Sequence, residues 1–308
     1  MHILVTGSSG TVGTRLCERL MESHRVTPVD IRPNRWNRKL DALTIQADLR
    51  EKARLEVLPH DVDLVIHCAA NARVYKLVEE PDLACENILT TYNMLEFVRL
   101  NGIPRIIFTS SREVYGNTLA DSPISEDVAV STQCESPYAA SKVSGEALAY
   151  SYHNVYGIGH VTLRLSNVYG RYDDSDRVVP LWIRECLYGR PIVVFGGDKE
   201  LDFTYLDDTV DGIKRVVERF ETVQGNTINI SYGKKAGLLA VANMLRELVG
   251  SRSEVILKES RSGEIVTFEG DISRARSLLG YLPKVDIREG LRKTVEWYRA
   301  NPWVFGPA

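Results

Sequence analysis

The sequence predicts an α/β fold, a doubly wound parallel sheet joined to a smaller, discontinuous α/β part. Three observations predict it. Short apolar, β-branched runs alternate with longer amphipathic ones through the first half of the chain. A glycine-rich turn lies between the first apolar run and the first amphipathic one. After about Ser166 the alternation loosens, and Gly, Pro and charged residues mix over residues 167–202 before strand-like runs return.

Strands are predicted at residues 3–5, 26–29, 44–46, 64–67, 105–109 and 160–165, with helices at 12–22, 84–101 and 138–156. Apolar runs with polar helices between them suit a parallel sheet covered on both faces. Two further strands are predicted at 203–206 and 227–230, and two helices in the tail, at 240–248 and 287–299.

The bulk properties narrow the function classes. The 308 residues suit two parts of unequal size. A net charge of −3, from 38 basic and 41 acidic residues, lacks the basic surplus of a nucleic-acid binder. Cys17, Cys68, Cys85, Cys134 and Cys186 are scattered, odd in number and form no CxxC pair. That pattern fits reduced thiols in a cytosol and argues against a disulfide framework or a metal cluster. The opening Met-His-Ile-Leu-Val-Thr-Gly is too short an apolar run for a signal peptide, and no run reaches the roughly 20 residues of a membrane span.

Gly7-Ser8-Ser9-Gly10-Thr11-Val12-Gly13 is a GxxGxxG loop that follows the first strand and opens the first helix. Glycine allows the tight turn and lets backbone approach a pyrophosphate, which the helix N-terminus then attracts. Asp30 ends the second strand, 17 residues after Gly13, where a carboxylate accepts both ribose hydroxyls and repels a 2′-phosphate. The expected cofactor is therefore NAD rather than NADP, although Arg32, with Arg35 and Arg38 beyond it, are of the kind that hold a 2′-phosphate. Asp48-Leu49 follows the third strand, where the acid is either an adenine acceptor or a solvated turn residue. The expected cofactor-binding part is residues 1–165 plus 203–231, and the substrate part 166–202 plus 232–308.

Ser136-Pro137-Tyr138-Ala139-Ala140-Ser141-Lys142 contains YxxxK. Ser136 suits an N-cap and Pro137 the first helical position. Tyr138 and Lys142, four apart, share a helix face. A tyrosine acting as base needs its pKa brought from about 10 toward 7, roughly 4 kcal/mol. Lys142, the helix N-terminus and an oxidised nicotinamide are the expected sources of that shift. Upstream, residues 106–116 read as a strand running into a polar loop. Ser111 there is placed to bond the hydroxyl being oxidised, or simply to cap a turn. In extended backbone Glu113 points to the same side as Ser111; its alternative is a salt bridge to a nearby base.

Taken together these residues resemble the extended short-chain dehydrogenases that act on nucleoside-diphosphate sugars, with a Rossmann-type cofactor part. The resemblance also rests on His67-Cys68-Ala69-Ala70, Asn87, the segment 164–170, Asp202-Phe203 with Asp207-Asp208, and Arg261-Ser262-Gly263-Glu264. It implies Ser111, Tyr138 and Lys142 as catalytic residues, Ala69 beside the cofactor, Asn167 on the sugar nucleotide and Arg261 as its diphosphate clamp. It implies a 4-epimerase of the UDP-glucose type, with a UDP-hexose as substrate and no nucleic-acid or membrane partner. It also implies a homodimer packed through the helices at 84–101 and 138–156. Three departures bear on the substrate. Glu113 resembles the sugar dehydratases and a decarboxylase of the family, in which a glutamate there takes part in chemistry beyond C4. Arg112 stands where the dehydratase has an acid. Leu201 stands where an arginine usually precedes Asp-Phe, while Ala72 and Leu77 replace a lysine and a serine. A dehydratase or decarboxylase is therefore the second reading, and a non-catalytic dinucleotide-binding protein the third.

Overall fold

Seven runs of the chain enter one parallel sheet. The structure, a computed structural model, describes residues 1–117, 123–128 and 134–306. In chain order its strands are β1 (His2–Thr6), β2 (Arg25–Asp30), β3 (Ile45–Gln46), β4 (Leu64–His67), β5 (Arg105–Ser111), β6 (Gly159–Leu165), β7 (Asn167–Tyr169), β8 (Ile192–Phe195), β9 (Glu200–Tyr205), β10 (Thr227–Ile230), β11 (Lys235–Gly237), β12 (Val255–Lys258) and β13 (Thr267–Phe268). The main sheet runs β3-β2-β1-β4-β5-β6-β10, parallel throughout. Chain order reverses between β1 and β4, so a crevice opens at their C-terminal ends, where open α/β sheets bind ligands.

β1 and β4 are buried along their whole length, as the unbroken apolar runs require. On one face Ile3, Val5, Ile66 and Ile107 pack with Leu16 of the helix Thr11–Leu20 and Ile213 of the helix Leu206–Glu218. On the other, Leu4, Val65 and Ile106 pack with Met94 and Val98 of the helix Asp82–Leu100. The helix Pro137–Tyr156 starts as its sequence dictates: Ser136 Oγ accepts from Ala139 N at 3.2 Å, Pro137 fills the first turn, and Gly157 closes the end in the left-handed region.

The second core gathers Trp182, Phe203, Val241 and Leu291 around a sheet in which β9 pairs with β7, β11 and β13. Here the sequence reading needs correction. The strand expected at 203–206 within the cofactor part is β9, which pairs only in this smaller sheet, while the helix after it packs on the main sheet. Residues 167–202, read as loose, contain the helix Val178–Leu187 and β8. Pro180 masked that helix, yet it lies in the first turn, where a missing N–H costs nothing. No helix among the described residues is long and apolar enough to cross a membrane.

Candidate active site

The crevice begins with the glycine loop. Gly7 has φ +69°, and a Cβ there would stand 2.7 Å from the Ala69 amide nitrogen. A Cβ on Gly13 would stand 2.1 Å from the Gly7 carbonyl oxygen. The chain thus folds onto itself more closely than any side chain allows. No side chain caps the helix Thr11–Leu20, so the amides of Thr11, Val12 and Gly13 point out of its first turn without intrahelical partners. Ser8 Oγ is buried with no partner. Asp30, at the end of β2, accepts from Ser9 N and from Arg32 N, each at 2.9 Å, and so fixes the loop while keeping lone pairs for a diol. This donor set fits a dinucleotide pyrophosphate with its ribose.

Of the nearby arginines, Arg32 leaves its side chain exposed. Arg35 pairs with Asp174 and stacks over Trp36 and Trp303, so it is already engaged and not free for a 2′-phosphate. Asp48 is held by Arg50 at 2.7 Å, which pulls its carboxyl below the usual range, and Leu49 is buried beneath.

Tyr138 is buried, with Ser111 within hydrogen-bond reach of its phenol. Lys142 Nζ donates to Thr109 O at 2.9 Å and lies 5.8 Å from the Tyr138 ring. In the protein alone burial pushes Tyr138 up to about 12 against the pull of Arg177, and pushes Lys142 down to about 8. Bringing such a phenol near neutrality takes about 7 kcal/mol, more than these side chains supply.

Ser111 ends β5 on extended backbone, but Glu113 has left the strand, so the two are not on one extended segment. Residues Arg112–Tyr115 form a 3-10 turn, and Ser111 Oγ caps it by accepting from Glu113 N at 3.2 Å. The salt-bridge alternative for Glu113 is also realised: its Oε1 lies 2.9 Å from Arg112 Nη2, with both side chains buried. Burial nevertheless raises the Glu113 pKa, Arg112 opposing. Asn167, expected on the substrate, bonds two neighbours. Its Oδ1 accepts from Arg112 Nη2 at 3.1 Å, and its Nδ2 donates to Asp202 O at 3.0 Å. Arg261 lies between two aromatic rings, 3.9 Å from the centre of Phe195 and 4.5 Å from that of Tyr75.

Several participants escaped the sequence reading. Arg177 donates to Ala72 O at 3.1 Å and Arg73 pairs with Asp176; burial first, then Arg177 and Arg261, lowers the pKa of Arg73, so the three guanidinium groups lie within reach of one another, with Asp173 and Asp174 among them. Lys199 is buried in an ion pair with Glu264. Trp36 Nε1 donates to Ser9 O at 3.1 Å and so braces the glycine loop. None of these has a fixed spacing to a motif.

The profile of the NAD dependent epimerase/dehydratase family matches residues 3–231. A putative UDP-glucose 4-epimerase of Methanocaldococcus jannaschii is 33% identical, the match covering 97% of this chain and 99% of that protein. The crystal structure of a UDP-glucose 4-epimerase from Thermotoga maritima with UDP-glucose superimposes with a TM-score of 0.91 at 30% identity, covering 98% of this chain and 100% of that one. A dTDP-glucose 4,6-dehydratase from Streptomyces venezuelae, solved with NAD bound, also reaches 0.91, at 26% identity and 100% and 99% coverage. With a cradle shaped for a dinucleotide and likeness along almost its whole length, the chain belongs to the NAD dependent epimerase/dehydratase family.

Proposed function

We propose that the chain is a nucleotide-sugar 4-epimerase of the UDP-glucose/UDP-galactose type, working through a transient 4-keto sugar. The observation that carries this reading is one juxtaposition: Ser111 and Lys142 both lie by Tyr138, while Glu113 is held by Arg112.

In this reading the Ser111 hydroxyl and the Tyr138 phenol grip the C4 hydroxyl of the sugar, and Tyr138 takes its proton. Lys142, tied to Thr109 O, holds a cation on the same helix face and orients the phenol's surroundings. Bound NAD would supply a hydride acceptor and donor for C4 and a positive ring that helps the phenol ionise, and the glycine loop with Asp30 would hold it. Tyr138 then returns the proton to the C4 oxygen. Arg261, Arg73 and Arg177 offer the guanidinium forks that suit a diphosphate. Residues 1–165 with 206–231 form the cofactor part, β9 going with the sugar-binding remainder. A cytosolic homodimer is part of the proposal; the exposed Leu89, Leu100, Tyr150, Val155 and Tyr156 on the helices Asp82–Leu100 and Pro137–Tyr156 support it.

The second reading, a dehydratase or decarboxylase, is favoured by the buried carboxyl of Glu113, raised in pKa and felt by Tyr138. Against dehydration, loss of the C6 hydroxyl needs an acid, and the guanidinium of Arg112 does not release its proton. A non-catalytic role is disfavoured by the complete Ser–Tyr–Lys set. Turnover of UDP-glucose in deuterated water decides between the first two readings. An epimerase gives UDP-galactose without deuterium at C5, and E113Q lowers its rate less than tenfold. Deuterium at C5, or loss of all turnover in E113Q, assigns the chemistry to Glu113.

A further inference from the structure

Three consecutive residues at the end of β5 are each bonded to one face of the same helix. Tyr138, Lys142 and Glu146 follow at four-residue intervals on the helix Pro137–Tyr156 and so share a face. Lys142 Nζ donates to Thr109 O at 2.9 Å, Ser110 Oγ donates to Glu146 Oε1 at 2.5 Å, and Ser111 reaches the phenol of Tyr138. The first and last of these contacts belong to the chemistry proposed above. The middle one has no part in it.

The Glu146 carboxylate is fully engaged. Its Oε1 also accepts from Arg164 Nε at 3.0 Å, and its Oε2 accepts from Arg164 Nη2 at 2.8 Å. Arg164 lies on β6 as the register partner of Ser110. One carboxylate thus ties neighbouring residues of two strands to the helix. Ser110 and Arg164 are buried, and the Glu146 side chain is only 12% exposed, so little water competes for these bonds. Packing fixes how near the helix comes to β5, because a Cβ at Gly145 would stand 2.3 Å from the Phe108 ring. A ring against a glycine resists approach but does not resist sliding along the strand. Directed hydrogen bonds do. Sliding by roughly 1 Å would part Tyr138 from Ser111, a misplacement that costs on the order of a hundredfold in rate. Resting on the epimerase reading above, we propose that Glu146, through Ser110, is a positioning residue that sets the register of the Tyr138–Lys142 face against the end of β5.

Tyr138 faces Lys142 on its own helix, Ser111, Arg112 and Glu113 from the end of β5 and the turn after it, and Arg177 from the start of the helix Val178–Leu187. Burial raises the phenol, Arg177 pulls it down, Glu113 pushes it up, and the Ser111 hydroxyl and Arg112 pull it down. Loosening the Ser111 contact therefore moves ionisation to higher pH, and a misplaced phenol regains rate as pH rises.

The deciding variant is S110A, which removes the strand anchor and leaves the Glu146–Arg164 pair intact. E146Q would strand the buried Arg164 charge and unsettle the fold. UDP-glucose is mixed rapidly with NAD-loaded wild type and S110A across a range of pH, and nicotinamide reduction is followed. At neutral pH S110A is expected to reduce about tenfold more slowly, with melting temperature and affinities for NAD and UDP-glucose unchanged. The rising limb of its pH profile is expected about one unit higher, the same tenfold expressed as a pKa. Reduction in S110A at the wild-type rate would overturn the proposal. So would a slower rate with an unmoved limb, which would leave Glu146 a staple of the fold alone. A wild type whose nicotinamide stays oxidised with UDP-glucose at every pH would overturn the epimerase reading and the proposal together.

Discussion

His67, fully buried at the end of β4, bridges Thr6 Oγ1 at 2.8 Å and Thr91 Oγ1 at 3.3 Å, and burial lowers its pKa to about 3. Its unfolded value is about 6.5, so the folded state resists the proton that the unfolded chain takes up. The stability tied to His67 is whole above pH about 6.5 and is lost as pH falls toward 3, by roughly 5 kcal/mol at the limit. Denaturant titrations at descending pH should show this loss, and H67Q, with no proton to take up, should flatten it. An H67Q protein with an unaltered acid slope would refute the assignment. At this scale the sequence was legible wherever chemistry repeats locally: Tyr138, Lys142 and Asp30 are fixed by spacing to a strand end or a helix start. Arg73, Arg177 and Lys199 were not, because each acquires its role from a partner on another segment. Glu113 was half legible: a salt bridge to a neighbouring base stood among its alternatives, but the 3-10 turn that carries it did not show.

The glycine loop and its braces set the prediction at the scale of elements. In G13A the new methyl has no room, running into the Gly7–Ser8 peptide. The variant should lose about 2 kcal/mol of stability and its affinity for NAD, seen as a lower melting temperature that added NAD no longer raises. The loop is also strapped from outside. Trp36 donates to Ser9 O, and its ring packs 5.9 Å from Trp303 and 6.1 Å from Trp297. W36F keeps a six-membered ring but removes the five-membered one with its N–H, so NAD affinity should fall about fivefold, near 1 kcal/mol, with a modest drop in melting temperature. Calorimetry on protein stripped of NAD measures it, and an unchanged affinity would show that the strap holds the fold and not the cofactor. The main-sheet strands were legible because a parallel sheet buries each run on both faces. The helix Val178–Leu187 and the pairing of β9 were not, because Pro180 breaks the helical pattern and strand pairing in the smaller sheet joins distant segments.

Across the whole molecule, one sheet edge gathers what the chemistry needs. β1 ends at the glycine loop, β2 at Asp30, β4 beside Ala69 and β5 at Ser111, and the helix after that edge carries Tyr138 and Lys142. The smaller sheet brings Asn167, while Arg261 lies between the rings of Phe195 and Tyr75. Without its cofactor this assembly holds Tyr138 neutral, at about 12, so proton removal waits for the loaded site. The most direct measurement is rapid mixing of UDP-glucose with NAD-loaded wild type and Y138F, following nicotinamide reduction. Wild type should show transient reduction and form UDP-galactose, while Y138F should still bind the sugar nucleotide but reduce about 10³-fold more slowly. Reduction in Y138F at the wild-type rate would contradict Tyr138 as the group that takes the proton.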